Sequence, residues 1–271
     1  MYDRVNETAY YIKNQIKLRP LIGIVLGSGL TRVVDEIENK EEIEYSDLPN
    51  FKVSTVKGHS SKLVFGKLGD KDVVLMTGRS HYYEGYSMKE IVFPFYVLKE
   101  LGVETVILTN SCGGINDKKL KPGSICTIND FINLMPSNPL VGMNDERLGP
   151  RFPDMTEPYD IGHRAVVKKV SKELGIPFIE GVYAGFMGPY YETKAEIKMI
   201  KNMGADCVGM STVPETIALN HAGVKVIAFA TITNMATGIQ KMKHSHDNVV
   251  KVANETSKKL ALLIKRVVNS I

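Results

Sequence analysis

The chain has only three cysteines in 271 residues. Cys112, Cys126 and Cys207 lie far apart, with no CxxC pair and no Cys/His ligand spacing. That argues against a metal site or a disulfide framework, and for buried, reduced thiols in a cytoplasmic protein. Long hydrophobic runs are lacking as well. The longest, around residues 21–26 and 224–230, are far too short to span a bilayer. The polar, amphipathic opening MYDRVNETAYYIKNQIKL has no apolar centre of the kind a secretory signal carries. No low-complexity linker or internal repeat divides the chain. A strong excess of one charge is missing too: the formal charge is +4, and Lys and Arg are interleaved with Asp and Glu. Neither nucleic acid nor membrane is expected as a partner, although a mild basic excess suits anionic substrates.

With 44% hydrophobic and 24% charged residues, the chain can bury a sizeable core. Apolar spacing over 8–16 predicts an opening helix, and the β-branched run 21–26 (LIGIVL), stopped by Gly27, predicts a buried strand. Strands at 62–68 and 72–77 flank the turn signal Gly69-Asp70. Helices are predicted over 88–101, 164–174, 193–203, 212–222 and 246–268, and strands over 105–109, 177–183, 206–210 and 225–233. This alternation predicts one α/β domain over 1–271, with a central mixed, largely parallel sheet flanked by helices.

Ligands in such sheets bind beyond the carboxyl ends of the strands. Four predicted strand ends carry glycines, hydroxyls or amides: Gly27-Ser28-Gly29, the run 109–114 (TNSCGG), the run 209–212 (GMST) and Thr233-Asn234. Gly27-Ser28-Gly29 reads either as a tight turn or as an anion cradle at a helix N-terminus. It is neither a Walker A loop nor a GxGxxG fingerprint, since Arg32 stands where the third glycine would be. A nucleotide-dependent oxidoreductase is disfavoured accordingly. Ser211 and Thr212 read equally well as site hydroxyls or as helix N-caps. The stretch 78–86 (GRSHYYEGY) gathers a guanidinium, an imidazole and three phenols, which suits a multi-oxygen anion beside a sugar or base. A solvated loop is its bland alternative, as it is for His59. Glu192 either complements the dipole of the following helix or faces a pocket beside Tyr191. Asn234 follows a strongly apolar strand, where an amide both donates and accepts. His244 and His246 have no third ligand at metal spacing.

Together, GIVLGSGL, VKGHSSKLVFGKL, TGRSHYYEGY, LTNSCGGIN, NDERLGPRFPDM, GPYYETKAEI, GADCVGMSTVPETIALNHAG and ITNMATG resemble the trimeric purine nucleoside phosphorylase family, in that family's order. The resemblance runs from about residue 20 to the last helix. It implies phosphorolysis of 6-oxopurine nucleosides such as inosine and guanosine, with orthophosphate as co-substrate and no cofactor or metal.

The resemblance also implies roles. Ser28, His59, Arg79, His81, Ser111 (through its backbone N–H) and Ser211 would surround phosphate. Tyr83 and Met210 would flank the ribose, with His246, preferred to His244, near its 5′-hydroxyl. Tyr191, Glu192 and Asn234 would hold the purine, and Asn234, Glu192 and His81 would stand nearest the chemistry. Phe152 would reach the neighbouring subunit's ribose site in a homotrimer. The family commonly has two alanines where this chain has Ser111-Cys112. Methylthioadenosine phosphorylases, the alternative activity, place aspartate at Asn234, and a catalytically silent nucleoside binder would have no use for the phosphate set.

Overall fold

The computed structural model describes residues 1–55, 60–240 and 245–271, with the side chain of His246 left out. A nine-stranded mixed sheet runs through it in the order β2-β3-β4-β1-β5-β8-β7-β6-β9. The strands are β1 (Ile22–Val25), β2 (Glu38–Glu44), β3 (Lys62–Leu68), β4 (Lys71–Met76), β5 (Thr105–Gly114), β6 (Ile125–Asn133), β7 (Glu180–Gly185), β8 (Cys207–Gly209) and β9 (Lys225–Met235). An additional β5–β9 pairing closes β5, β8, β7, β6 and β9 into a ring. The other four strands extend as an open wing.

Strand β5 joins wing and ring. Its first half pairs in parallel with β1, and its last residues, Gly113 and Gly114, pair antiparallel with β8. All the while its other edge pairs in parallel with β9. β5 and β9, flanked on both edges and covered on both faces, are buried over most of their length.

Helices α1 (Tyr2–Gln15), α2 (Met88–Glu100) and α5 (Val213–His221) cover one face, while α3 (Ile161–Glu173) and α6 (His246–Val268) cover the other. Period-two alternation sorts the strand side chains between them. Val25, Val74 and Met76 join the first core, and Ile24, Val73 and Leu75 join the second. The remaining helix, α4 (Lys194–Asn202), buries Ile197 and Ile200 against a smaller cluster.

Three sequence expectations change. Helix α1 starts at Tyr2 rather than residue 8, because Val5 already belongs to the buried stripe Val5, Thr8, Ala9 and Ile12. The turn after β1 leads into a 3-10 turn, Thr31–Glu36, not an α-helix. Strands β2 and β6 had no sequence signal: β2 is a charged edge strand that buries only Ile43, and β6 is buried only over its first half. No helix among the described residues is long and apolar enough to cross a membrane.

Candidate active site

A cavity of about 780 Å³, counting its open mouth, lies beyond the carboxyl ends of β1, β4, β8 and β9 and beside the last residues of β5. Ser28, Arg79, His81, Ser111 and Ser211 line it, as do Tyr83, Tyr191, Glu192, Met210 and Asn234. Residues up to 206 positions apart in sequence thus meet in one place, as strand-end geometry requires. His59 and His244 lie outside the described residues, and His246 begins α6 with its side chain likewise outside them. Phe152 is not in the cavity; its ring is 87% exposed.

The turn after β1 is held by β5. The Thr109 hydroxyl accepts from the Gly27 N–H at 3.0 Å and donates to the Val25 carbonyl at 2.8 Å. A side chain at Gly27 would strike the β5 backbone, 2.9 Å from the Thr109 carbonyl oxygen. Only glycine lets the turn lie this close to its neighbour. Ser111 Oγ donates to the Ser28 carbonyl at 2.9 Å, a second tie between the same two segments.

Arg79 is buried, at 3% exposure. Its Nη2 donates to Ser211 Oγ at 2.9 Å, its Nη1 to Glu215 Oε2 at 3.4 Å, and its Nε lies 3.2 Å from Glu215 Oε1. Ser211 therefore lines the cavity beside Arg79. Thr212 occupies the N-cap position of α5 but makes no side-chain cap. Instead it adopts φ +71°, ψ −44°, and the Val213 N–H bonds back to the Ser211 carbonyl at 2.8 Å, forming a tight γ-turn. A threonine at positive φ is strained, and Asn110 Nδ2 donating to Thr212 Oγ1 at 2.9 Å braces it.

His81 and Glu84 form a local unit. Glu84 Oε1 accepts from the His81 backbone N–H at 2.7 Å and lies 2.9 Å from His81 Nδ1, while Oε2 accepts from the Thr55 N–H and hydroxyl. Burial opposes the Glu84 charge, yet these hydrogen bonds together bring its carboxyl down to about 2. An ionised carboxylate only accepts, so Nδ1 carries the proton that faces Glu84. Tyr83 stacks on the His81 ring at 4.8 Å between centroids, and burial pushes its phenol up to about 12.

At the other end, Glu192 is 6% exposed and lines the cavity just before α4, so it does more than complement a helix dipole. Burial pushes its carboxyl above the usual range. Asn234 reaches the cavity through a bulge: Cys112 pairs with Ile232 but Gly113 with Asn234, so Thr233 is an extra residue on β9. The Thr233 hydroxyl lies 3.0 Å from Asn234 Oδ1 and 3.2 Å from the Cys112 carbonyl. Gly113, opposite, leaves Asn234 Nδ2 the room that a Cβ would enter at 3.4 Å.

Sequence reasoning named Thr233 only as part of a polar strand end and did not single out Glu84 or Glu215. Glu84 had a signal, the three-residue spacing from His81 that lets a side chain reach back to a cap. Glu215 had none, since its partner is distant in sequence, and the strand-end signal at Thr233 could not show the bulge. The cysteines also converge. Cys207 Sγ donates to the Val182 carbonyl at 3.9 Å, and the neighbouring Cys112 thiol, together with burial, holds the Cys207 thiol well above the ordinary range. All three are unpaired and buried.

The cavity is thus lined by a guanidinium, an imidazole and hydroxyls, and also by a carboxylate and an amide. A model of the phosphorylase superfamily matches residues 21–269. Purine nucleoside phosphorylase 1 of Bacillus subtilis (strain 168) is 46% identical over 268 residues, covering 99% of this chain and 98% of that protein. Purine nucleoside phosphorylase of Bos taurus is 39% identical, covering 100% and 96%. The crystal structure of Schistosoma mansoni purine nucleoside phosphorylase in complex with adenosine superposes with a TM-score of 0.94 at 36% identity, covering 99% and 97%. The chain belongs to the purine nucleoside phosphorylase family of the phosphorylase superfamily.

Proposed function

We propose that the chain acts as one nucleoside phosphorylase domain over residues 1–271, cleaving the N-glycosidic bond of 6-oxopurine nucleosides with phosphate. Inosine, guanosine and their deoxy counterparts would give the free base and (deoxy)ribose 1-phosphate, reversibly. The observation that carries the proposal is that one cavity is lined both by Arg79, His81, Ser28 and Ser211 and by Glu192 and Asn234.

Phosphate is gathered by Arg79, the Ser28 and Ser211 hydroxyls, His81 and the Ser111 N–H. With Nδ1 turned to Glu84, His81 presents Nε2 to phosphate. Phosphate attacks the anomeric carbon as the glycosidic bond breaks, through a state in which the ribosyl group is cationic. No covalent enzyme intermediate is needed; the protein positions the reactants and stabilises developing charge. Tyr83 and Met210 flank the sugar, and His246 serves its 5′-hydroxyl. With Thr233 at its Oδ1, Asn234 donates from Nδ2 to purine N7, where the leaving base gathers charge.

Tyr191 packs on the base while Glu192 accepts from N1–H, and from the 2-amino group of guanine. Adenine has no proton on N1, so its lone pair would face the carboxylate. That mismatch costs roughly 1–3 kcal/mol, about tenfold to a hundredfold in rate. The Schistosoma mansoni relative was solved with adenosine, so turnover rather than occupancy is the measurement that decides.

Phe152 fits the role of reaching a neighbour's ribose site in a homotrimer. It projects with Met143 (95% exposed) and Val141 (59%) from one segment, and Arg151 donating to the Gly142 carbonyl at 2.9 Å braces that segment internally. A cytoplasmic setting fits the three unpaired thiols.

The test is inosine with and without orthophosphate, beside adenosine. Hypoxanthine and ribose 1-phosphate are expected only with phosphate, and inosine should exceed adenosine in kcat/KM. Product without phosphate would refute phosphorolysis; equal use of adenosine would refute the base assignment alone.

A further inference from the structure

We propose that Glu215, which stands behind the cavity rather than in its lining, is a positioning residue that aims the Arg79 guanidinium at phosphate. The proposal rests on the reading of Arg79 as a phosphate ligand. Glu215 is the third residue of α5 and is only 4% exposed. A carboxylate in a first helical turn often does no more than complement the helix dipole. Here burial makes that role insufficient, because a charge removed from water needs a partner. Among the described residues its ion-pair partner is Arg79, which is itself 3% exposed.

The geometry divides the guanidinium between two anchors. Glu215 engages Nε and Nη1, and Ser211 Oγ accepts from Nη2. Both anchors come from the same short stretch, on either side of the γ-turn at Thr212. Asn110 of β5 braces that turn through Thr212 Oγ1. The plane of the guanidinium is thereby fixed by β5, β8 and α5 before any substrate arrives. A planar fork recognises an oxyanion only when its plane is correctly set, and fixing it in advance removes an ordering cost from binding.

Charge and position predict opposite effects. Glu215 is an anion near an anion site, so a purely electrostatic role would weaken phosphate binding. Neutralising it would then lower the KM for phosphate. If Glu215 positions Arg79, neutralising it raises that KM.

The experiment is steady-state kinetics of the full chain, with inosine and phosphate varied separately, on Glu215→Gln, Arg79→Met, Glu215→Leu and the double variant Arg79→Met/Glu215→Leu. Glu215→Gln is expected to raise the phosphate KM about tenfold or more, the scale of a hydrogen bond to a charged group, while the inosine KM stays within about twofold. The double variant replaces the buried pair with apolar side chains, a change that folds where single removals strain the core. Its phosphate KM should match that of Arg79→Met alone, because Glu215 acts only through Arg79. A lowered phosphate KM in Glu215→Gln, an unchanged one, or additive effects in the double variant would overturn the proposal. An unchanged phosphate KM in Arg79→Met would instead overturn the reading of Arg79 as a phosphate ligand, and this inference with it.

Discussion

Ser111 donates its hydroxyl to the carbonyl of Ser28 at 2.9 Å, tying the end of β5 to the turn after β1. The bond joins two segments that line the cavity, at a position where the family commonly has an alanine without a hydroxyl. Ser111→Ala should cost about 1 kcal/mol of stability, the net worth of one hydrogen bond, seen as a lower Tm. Because the expected phosphate contact at 111 is the backbone N–H, kcat on inosine should change by less than about threefold. A large loss of kcat would mean that the hydroxyl itself meets the substrate.

Glu192 couples selectivity to stability. Burial raises its carboxyl above the ordinary range, so between the unfolded value and the raised native one the folded state binds more protons. Stability contributed by this group is therefore fully present below the unfolded value, about 4.5, and is lost as pH rises through the native one. Glu192→Gln removes that loss. It should raise Tm at neutral pH relative to the parent, with the difference vanishing below about pH 4.5. The same variant should lower kcat/KM for guanosine by about tenfold to a hundredfold and narrow the gap to adenosine. Thermal scans across pH and paired substrate kinetics check both halves.

Glu84 works in the opposite sense. Its carboxyl is held down to about 2 by hydrogen bonds from His81 and Thr55, so its contribution is present above the unfolded value and is lost as pH falls through about 2. Between roughly pH 4.5 and 2 the parent should lose stability faster than Glu84→Gln does. Replacing the carboxylate also frees His81 from the Nδ1–H form, so the phosphate KM of Glu84→Gln should rise while the KM for inosine holds. Urea unfolding at several acidic pH values, with kinetics at neutral pH, tests the pair of effects.

Phe152 allows a complementation test of shared sites. Phe152→Ala should raise the KM for inosine with little effect on the phosphate KM. Asn234→Ala should lower kcat and leave the surface intact. Mixed under conditions that permit subunit exchange, the two variants should recover activity above either alone, because an intact pocket then meets an intact neighbouring Phe152. No recovery after demonstrated exchange would exclude the shared site.

The apolar runs that become β1, β5 and β9 were legible because strands covered on both faces leave a continuous hydrophobic trace. The strand-end placement of Ser28, Ser211 and Asn234 followed from that pattern. Charged β2 and half-buried β6 left no such trace, since an edge strand and a strand leaving the core are defined by their partners rather than their own side chains. What the sequence determined by itself was the set of chemical groups and the strand ends that carry them. Tertiary structure alone decided that Ser211 serves Arg79 instead of capping α5, that a bulge at Thr233 turns Asn234 into the cavity, and that Glu215 stands behind Arg79. The physical reason is that hydrophobic periodicity is a local property written into neighbouring residues. A buried ion pair 136 positions apart exists only once the fold has removed both charges from water.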